Sequence, residues 1–386
     1  MKAVHLQKKE CCGCSACAMR CPKNAIEMKR DVEGFLYPII DEEKCINCGL
    51  CLKACSFSVR KENGNKPIVY AVKNKNEDVR YKSSSGGMFP LISDWVLKNN
   101  GYIVAATFED KTMKVIHTII DNEKARDKAV GSKYVQSDLR DIFVKIKELL
   151  EQGKYVMFVG TACQVDGLRS YLGNKKQEKL LLCDIICHGV PSPKIWEEYI
   201  RLLNRRNKIM IDHAEFKNKE TGWHTPSAYA YAKGERYSMK EYQSIFCKDI
   251  ILRPSCYQCP YTSFDRCSDI TLGDFWGIEK INNQFDDNKG VSLVLLNSVK
   301  GQELFQKIAH DTLPMESNVN DSIQPNLKEP THMPSMRTQF WKDYTEKGLE
   351  YVLELYGVDR LKNRVRRKIK TWKGKIIKSS KKKGGD

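Results

Sequence analysis

Two runs of cysteines near the start of the chain constrain its fold more than any other feature. The first run has the spacing C-x2-C-x2-C-x3-C-P, and the second repeats it with Ser56 in place of the proline. The runs consist of Cys11, Cys14, Cys17 and Cys21, and of Cys45, Cys48, Cys51 and Cys55. Two such runs are the pattern by which a bacterial-type ferredoxin holds two [4Fe–4S] clusters. The spacing therefore predicts a ferredoxin-like module.

The fourth cysteine of each run is expected to bind the cluster held by the other run. We predict one cluster on Cys11, Cys14, Cys17 and Cys55, and a second on Cys45, Cys48, Cys51 and Cys21. This crossed ligation brings the two halves together and sets the clusters close enough for electron hopping. Structural zinc fits poorly, because a zinc site pairs two C-x2-C elements and leaves the third cysteine of each run unused. Cys12 lies between ligands and is interpreted as a bystander thiol.

The length of the chain and the placement of its cysteines limit the classes of protein to which it can belong. The chain has 386 residues, enough for two or three domains. Its 16 cysteines cluster with metal-ligand spacing, whereas a secreted protein would use them in scattered disulfides. No apolar run reaches the roughly 18 residues of a transmembrane helix, and the N-terminus has no apolar signal region. We expect a cytoplasmic protein, with peripheral contact at the inner face of the membrane as a further possibility.

That possibility rests on the uneven charge of the chain. The net charge is +17, and residues 362–386 contribute +11 of it, from twelve Lys and Arg against one Asp. Val365, Ile369, Trp372 and Ile376 interleave with these bases at the spacing of a basic amphipathic helix. Such a helix could contact an anionic membrane or an acidic partner, and a solvated terminus is the equal alternative. No nucleic-acid partner is expected, because no other segment resembles a nucleic-acid module.

The remaining chain alternates strands and helices. We predict a ferredoxin-like domain over 1–57, a linker over 58–68, a main domain over 69–345, and a C-terminal helix and basic tail over 346–386. Residues 155–159 read as a buried strand, 164–173 as a helix and 180–186 as a second strand, so the two strands should be parallel neighbours. The expected fold class is α+β followed by mixed α/β with a partly parallel sheet.

Two further cysteines follow the C-terminal ends of those two strands. Cys163 and Cys187 should be neighbours there, at the edge of an α/β sheet where ligands bind. Cys256 and Cys259 add another C-x2-C, so four thiols could hold a third [4Fe–4S] cluster; separate buried thiols are the alternative. The other cysteines of this domain are a possible rival ligand, Cys267, and two thiols expected to be structural, Cys183 and Cys247.

Glycine-bearing turns are the other candidates for chemistry. Residues 83–87, SSSGG, precede a predicted helix and offer hydroxyls, backbone N–H groups and a helix N-terminus, which suit a phosphate. The turn matches neither the P-loop nor the G-x-G-x-x-G pattern, so a plain loop is the alternative. Residues 131–134 and 269–277 form similar polar turns near predicted strand ends.

Together these motifs resemble the coenzyme F420 hydrogenase/dehydrogenase beta subunit family, in its bacterial form with an N-terminal two-cluster ferredoxin domain. The resemblance covers roughly residues 8–345. It is carried by SSSGG at 83–87, GSKYV at 131–135, GTACQVDGLRSYLG at 160–173, ICHGVPSP at 186–193 and RPSCYQCPYTSFDRCSDITLGDFWG at 253–277. The sequence departs from the family at Ala162, where proline is common, which should alter the turn slightly.

The resemblance implies a flavin-binding domain that holds FAD beside a [4Fe–4S] cluster. The family's cluster ligands match Cys163, Cys187, Cys256 and Cys259, which favours the third cluster. The flavin-contacting residues would be Ser85, Gly86, Gly87, Ser132, Lys133, Tyr134, Gly160, Thr161, Gly273 and Asp274. As catalytic residues we name Lys133, which could stabilise an anionic reduced ring, and His188, which could donate a proton to substrate. A histidine stacked beside a cluster is the alternative role for His188.

The implied activity is that of an FAD- and iron–sulfur-dependent oxidoreductase. Electrons would pass from a ferredoxin-like donor or partner redox subunit through the clusters to FAD, and on to a small-molecule two-electron acceptor. Coenzyme F420 cannot be carried over as that acceptor, and an association of relatives with surface-polysaccharide genes suggests a link to that biosynthesis. The alternatives are an electron-transfer subunit without its own substrate, and a scaffold that uses its clusters structurally.

Overall fold

The computed structural model describes residues 7–59, 64, 66–173 and 177–357. It contains an N-terminal ferredoxin-type module, residues 7–59, packed against a mixed α/β body. Residues 60–63 and 65 of the predicted linker lie outside the described residues, as does the whole basic segment 362–386. Within the described ranges, no helix is long and apolar enough to cross a membrane.

The module is built around a two-stranded antiparallel hairpin, β1 (Ile26–Arg30) and β2 (Leu36–Ile40). Its short helices are α1 (Ala16–Met19), α2 (Leu50–Lys53) and α3 (Ser56–Val59), preceded by a 3-10 turn at Lys8–Glu10. Ser15 and Gly49 occupy equivalent places in the two cysteine runs, and both adopt the left-handed conformation just before α1 and α2. The equal spacing of the runs therefore produces equal local structure.

The strands of the body form one large and one small sheet. They are β3 (Ile68–Asn74), β4 (Tyr102–Phe108), β5 (Val115–Ile120), β6 (Val156–Thr161), β7 (Leu180–Ile185), β8 (His213–Asn218), β9 (Ser227–Ala232), β10 (Glu235–Ser238), β11 (Ile270–Asp274), β12 (Ser292–Leu296) and β13 (Thr312–Ser317). The large sheet has the order β13-β3-β12-β11-β7-β6-β4-β5, and the small one the order β10-β9-β8. The centre of the large sheet is parallel, from β4 through β6 and β7 to β11, and its outer strand pairs are antiparallel.

The helices of the body lie on both faces of the large sheet and around the small one. They are α4 (Glu77–Lys82), α5 (Met88–Lys98), α6 (Glu123–Asp127), α7 (Ile142–Glu151), α8 (Ala162–Leu172), α9 (Pro193–Asn207), α10 (Lys240–Cys247), α11 (Ile278–Ile281), α12 (Val299–Ile308), α13 (Pro325–Lys328) and α14 (Arg337–Val352). Short 3-10 segments occur at Pro254–Gln258 and Ala309–Asp311, and α14 continues into a π-helical turn at Leu353–Gly357.

The parallel βαβ unit predicted from the sequence is confirmed. Strands β6 and β7 pair in parallel from Val156 opposite Leu180 to Thr161 opposite Ile185, with α8 between them. Thr161 caps α8 in a reciprocal box with Gln164, which fixes where the strand ends and the helix begins. The functional edge of the sheet is therefore set by this one turn.

Two elements differ from expectation. No strand was predicted from the sequence at Thr312–Ser317, which form β13 and pair with β3 at the edge of the sheet. Pro314 is tolerated there because an edge strand has a row of N–H groups without a ladder partner. The small sheet β8–β10 was not expected at all.

The module is held against the body by packing and by ion pairs. Cys12, Cys14 and Ala16 share a buried cluster with residues of α7 and α8, among them Phe143 and Leu168. The hairpin turn of the module contacts α9 and α14. Ser192 Oγ, at the start of α9, donates to the Glu33 carbonyl at 2.5 Å. Two ion pairs join the same elements, one between Arg30 and Glu197 at 2.7 Å and one between Arg337 and Glu33. Gly34 is required at this contact, because a Cβ there would stand 2.3 Å from Lys194 Cβ.

Candidate iron–sulfur and cofactor site

The predicted crossed set of the second cluster lies around one small cavity. Cys21, Cys45, Cys48 and Cys51 all line it, so the last cysteine of the first run joins the first three of the second. The structure brings this set together although Cys21 lies far from the others in sequence. The α2 turn and the hairpin between the runs produce the arrangement.

The predicted set of the first cluster is also close together. Burial raises the pKa of the Cys17 thiol to about 12, and the neighbouring Cys11 and Cys55 thiols add to the rise. Cys14 packs beside Cys12, and the hydrogen bond between their thiols is the largest cause of a raised pKa at Cys14. Burial disfavours free thiolates here, whereas binding to iron stabilises them, so the donor set suits a cluster.

The four body cysteines proposed for a third cluster converge on a second small cavity. Cys163, Cys187, Cys256 and Cys259 line it, and Cys12 of the module lines it as well. Cys163 opens α8, Cys187 follows β7, and Cys256 lies in the 3-10 segment Pro254–Gln258. The adjacency of Cys163 and Cys187 thus follows from the parallel strands that precede them.

Cys12, interpreted from the sequence as a bystander thiol, contacts thiols of both the module and the body. Its thiol is hydrogen-bonded to that of Cys14 in the module and to that of Cys163 in the body. Nothing in the spacing of the first run distinguishes it from a bystander, because its partner Cys163 comes from another part of the chain. The other unassigned thiols lie elsewhere: Cys183 is fully buried in β7, Cys247 lines a different cavity, and Cys267 is not among the residues that line the cavity of the body cysteines.

The chemistry around the body cysteines suits thiolate ligands. Burial raises the pKa of Cys187 to about 12, and it raises the pKa of Cys256, where Cys187 and Cys259 add to the rise. The backbone N–H of Val190 donates to Cys256 Sγ at 3.4 Å, and Arg266 contributes a buried cation to the wall. In the described ranges no three His, Cys, Asp or Glu side chains converge as ligands of one metal ion. A cubane holds its thiolates around a larger object.

A large cavity of about 590 Å³ lies at the carboxyl ends of the parallel strands. Its wall is shared with the cavity of the body cysteines at Thr161, Cys187 and His188. The predicted flavin-contacting residues that line it are Ser85, Gly87, Ser132, Lys133, Tyr134, Gly160, Thr161, Gly273 and Asp274. Gly86 is not among them.

Packing within the protein explains two of the glycines. A Cβ at Gly86 would stand 2.2 Å from the Val72 carbonyl oxygen, because the SSSGG turn passes close to β3. A Cβ at Gly273 would stand 2.5 Å from Ile186 Cδ1. These glycines permit close chain packing behind the cavity wall, and their presence requires no ligand. The polar turns also contact each other, since the Ser132 N–H donates to Ser84 Oγ at 2.7 Å.

Lys133 and His188, the predicted catalytic residues, both line the large cavity. The Lys133 ammonium donates to the carbonyls of residues 129–131, each at 3.1 Å, and burial lowers its pKa to about 7. Its side chain is half-buried where it borders the cavity, while the charged end is enclosed by the turn. His188 is hydrogen-bonded to Asp249 and meets the Phe246 ring edge to face at 5.5 Å. It borders both cavities, which keeps both of its predicted roles open.

Asp274 shapes the wall through internal partners. Its carboxylate accepts from Lys217 and, at 2.9 Å, from Trp223 Nε1. Trp223 stacks on Trp276 with ring centroids 4.7 Å apart, and Trp276 remains 39% exposed at the cavity. Lys217 and Trp276 were not predicted, since a lysine in a strand and an aromatic after a turn are common in any domain.

His117 on β5 is another lining residue that the sequence did not indicate. Its Nε2 donates to the Val159 carbonyl at 2.9 Å, and its ring stacks on Phe158 at 5.3 Å. Burial lowers the pKa of His117 to about 4, so the ring is neutral near pH 7. Because Nε2 is the donor, Nδ1 is an acceptor.

The large cavity fits a flavin in size and lining. Its volume falls within the roughly 300–1,000 Å³ of small-molecule and cofactor sites. Its lining combines apolar side chains, among them Phe89, Ile186 and Leu272, with residues of the polar turns at 83–87 and 131–134. A flat ring with a polar tail needs this combination of surfaces. Helix α5, with 11 residues, begins directly after the turn at 83–87, and Gly87 is its N-cap residue.

Comparison with known proteins gives matches to two families. Residues 153–321 match the C terminus of the coenzyme F420 hydrogenase/dehydrogenase beta subunit, and residues 10–59 match the 4Fe-4S dicluster domain. A chain in a structure of the F420-reducing [NiFe] hydrogenase complex from Methanosarcina barkeri is similar with a TM-score of 0.47 at 15% identity, over 76% of this chain and 93% of that one. No curated protein matches the chain. The chain is therefore an iron–sulfur electron-transfer protein related to the coenzyme F420 hydrogenase/dehydrogenase beta subunit, with an N-terminal 4Fe-4S dicluster domain.

Proposed function

We propose that the protein is an FAD-dependent iron–sulfur oxidoreductase. It passes electrons from a ferredoxin-type donor through three [4Fe–4S] clusters to FAD, and on to an organic two-electron acceptor. A bound flavin supplies the conversion between one-electron and two-electron transfer. The acceptor and a link to surface-polysaccharide biosynthesis stay predictions from the family resemblance.

The observation that carries the proposal is the wall shared by the two cavities. Cys187 and His188 border both the cavity of the body cysteines and the cavity of about 590 Å³. A cluster and a flavin bound in these cavities would be neighbours separated by one turn of chain. That proximity is what electron transfer between them requires.

The residues that would hold the flavin are those of the wall. The polar turns at 83–87 and 131–134 offer hydroxyl and backbone groups to a phosphate-bearing tail, with the N-terminus of α5 favouring negative charge. Phe89 and Leu272 offer apolar surface to a ring. Lys133, with a pKa lowered to about 7, could hold or release a proton near that ring.

The order of electron flow is supported by the burial of the cysteines. Cys48 of the second set is exposed, Cys11 and Cys14 of the first set are buried, and Cys14 is joined through Cys12 to Cys163 of the body. Of the two module sets, the second is therefore the one that an external donor can approach. Electrons would move from the second cluster to the first and then to the third.

The test is anaerobic purification followed by an iron count and an absorption spectrum. We expect about twelve irons, from three four-iron clusters, and one flavin per chain. The Cys256→Ala variant should lose about four irons and keep the module pair. Cys247→Ala is the matched control and should keep all iron, because Cys247 does not line the cavity on which the body cysteines converge. About eight irons in the unaltered protein would remove the third cluster from the proposal.

A second variant tests the flavin separately. Ala106 lines the large cavity and is half-buried, so Ala106→Phe would fill space that a ring needs, while Ala106→Ser would not. We expect Ala106→Phe to lose flavin and keep its iron. Flavin absent from the unaltered protein, or kept by Ala106→Phe, would contradict this location.

The second candidate is a subunit that relays electrons to a partner enzyme. The matched family carries the description of a beta subunit, which favours partner subunits. Under this alternative, the purified chain would hold clusters and flavin and reduce artificial dyes, yet turn over no small organic acceptor alone. Turnover of a small organic acceptor that appears only after a partner enzyme is added would show that the protein is an electron-relaying subunit.

A further inference from the structure

Arg253 is a buried cation at the centre of the contact between the module and the body. Its side chain is 0% exposed, immediately before the 3-10 segment that carries Cys256. It reaches across into the module, where Nε donates to the Cys11 carbonyl at 2.6 Å and Nη2 donates to the Leu36 carbonyl at 2.8 Å. Nη1 donates to Gln136 Oε1 at 3.0 Å.

These hydrogen-bond partners of the guanidinium are neutral. In the part of the chain that the structure describes, they are carbonyl and amide oxygens, together with the Cys11 sulfur, which Nη2 contacts at 3.5 Å. Aromatic faces complete the site, with the Tyr37 ring centroid 4.3 Å from the guanidinium carbon. A buried cation without a carboxylate is strongly unfavourable unless another negative charge compensates it. The compensating charge must lie at the cysteines.

A thiolate-ligated [4Fe–4S] cluster is such a charge. Four thiolates outweigh the charge of the cubane core, and reduction adds one more negative charge. The first cluster, on Cys11, Cys14, Cys17 and Cys55, would lie against Arg253, and the cavity of the third would have Arg253 in its wall. Hydrogen bonds to cluster sulfurs and nearby charge are among the factors that set the reduction potential.

We propose that Arg253 raises the reduction potential of the first cluster so that it accepts electrons from the second. Burial alone would lower the first cluster's potential, because a buried site resists an added negative charge. The second set has the exposed Cys48, and among the described residues the wall of its cavity contains no buried cation. Without Arg253 the inward step would run uphill. In that step one electron leaves the second cluster, which is oxidised, and enters the first, which is reduced.

Gly13 supports the same assignment from the module side. It lies between Cys12 and Cys14 with φ +71°, and a Cβ there would stand 2.7 Å from Arg253 Nη1. The cysteine loop is thus shaped to let the guanidinium approach its backbone. Gln136 adds a second tie, because its amide donates to the Cys12 carbonyl at 2.8 Å while accepting from Arg253. Arg253 is accordingly a positioning and potential-setting residue.

The test is a redox titration of the full chain followed by electron paramagnetic resonance, with Arg253→Met and Arg253→Lys. Arg253→Met keeps most of the volume and removes the charge, and it should shift the partition of one electron between the two module clusters at least tenfold toward the second. That corresponds to about 59 mV for one electron. Arg253→Lys keeps the charge and should shift the partition less. Cys11→Ser identifies the first cluster, because it alters the signal of the cluster that Cys11 ligates.

The matched control is Arg337→Met. Arg337 also joins the module to the body, through Glu33 and the Leu252 carbonyl, and in the described ranges its side chain forms no hydrogen bond with a cysteine. It should weaken the docking and leave all potentials unchanged. Unchanged potentials in iron-replete Arg253→Met would overturn the inference. If Arg253→Met fails to load iron, Arg253→Gln decides, because it also removes the charge but can still donate hydrogen bonds: a shift of the partition toward the second cluster supports the inference, and unchanged potentials reject it. The inference rests on the two-cluster domain of the proposed function, and the iron count tests that domain independently of the potentials.

Discussion

The two cysteine runs have the same spacing and nearly the same local structure, yet they have different surroundings. In the first run Cys11, Cys14 and Cys17 are buried against the body. In the second run Cys48 is exposed, and Ile46 near it is 58% exposed. Two copies of one binding loop have therefore been given different environments by what packs on them.

In the function proposed above, spacing determines which cysteines bind each cluster, while packing determines the direction of electron transfer. Helix α8 approaches the first run so closely that a Cβ at Gly167 would stand 2.9 Å from both Cys14 Cβ and Cys14 Sγ. Cys48, by contrast, keeps its exposure within the described part of the chain. The first run thus faces the interior and the second run faces solvent, where a donor can dock.

The largest expected effect comes from removing one ligand from each run. Cys14→Ala removes a thiol that is part of the core shared with α7 and α8, so it should lose iron and also lower the melting temperature of the whole chain. Cys48→Ala removes an exposed thiol and should lose iron while the body melts nearly as before. Anaerobic thermal unfolding measures the melting temperature of each variant, and an iron count measures its loss of iron. Equal falls in melting temperature would mean that the two runs do not differ in their role in packing.

A smaller effect is expected from Gly167→Ala in α8. Alanine improves helix propensity by about 1 kcal/mol, but a methyl group added against the packed Cys14 side chain costs about 1–3 kcal/mol. We expect the steric cost to exceed the gain in helix propensity, with a net loss of stability of up to about 2 kcal/mol. Ser170→Ala, on the same helix and half-buried, is the control and should be neutral or slightly stabilising. A gain in stability for Gly167→Ala would show that α8 and the first run are less tightly packed than described.

A kinetic effect is expected at the exposed run. Ile46→Glu replaces an apolar side chain beside Cys45 with a charge, and should slow reduction by a ferredoxin donor severalfold without changing iron content. Val32→Glu is matched to it, because Val32 is 71% exposed and lies at the hairpin turn away from Cys48. Stopped-flow reduction by ferredoxin, compared with reduction by dithionite, separates docking from chemistry. Equal rates for both variants would argue against the second run as the docking site.

Much of this arrangement could be predicted because it depends on local spacing. The crossed sets follow from two runs of C-x2-C-x2-C-x3-C, and the neighbourhood of Cys163 and Cys187 follows from a parallel βαβ unit. In each case a short-range pattern determines a short-range geometry. The general rule for α/β sheets then identifies the functional edge.

The residues that could not be predicted act across the contact between the module and the body. Arg253 and Cys12 have roles only because distant segments meet, and a single sequence contains no signal for which arginine will be buried against which thiol. The edge strand β13 was missed for a related reason, since Pro314 is a poor strand former and only its pairing with β3 makes it one. Tertiary context decided each of these cases.

Cys12→Ser is expected to have the smallest effect. It is also the variant that tells most about the contact between the cysteine runs and the body. Cys12 contacts both Cys14 and Cys163 and lines the cavity of the body cysteines, so five thiols surround a space that one cubane fills with four. If Cys163, Cys187, Cys256 and Cys259 are the ligands, Cys12→Ser should keep about twelve irons. Serine preserves the size and polarity of the side chain, so the packing of the module should be unchanged. A loss of about four irons, matching that of Cys256→Ala, would make Cys12 a ligand. The third cluster would then be bound by the module and the body together, and the first run would supply ligands to two clusters.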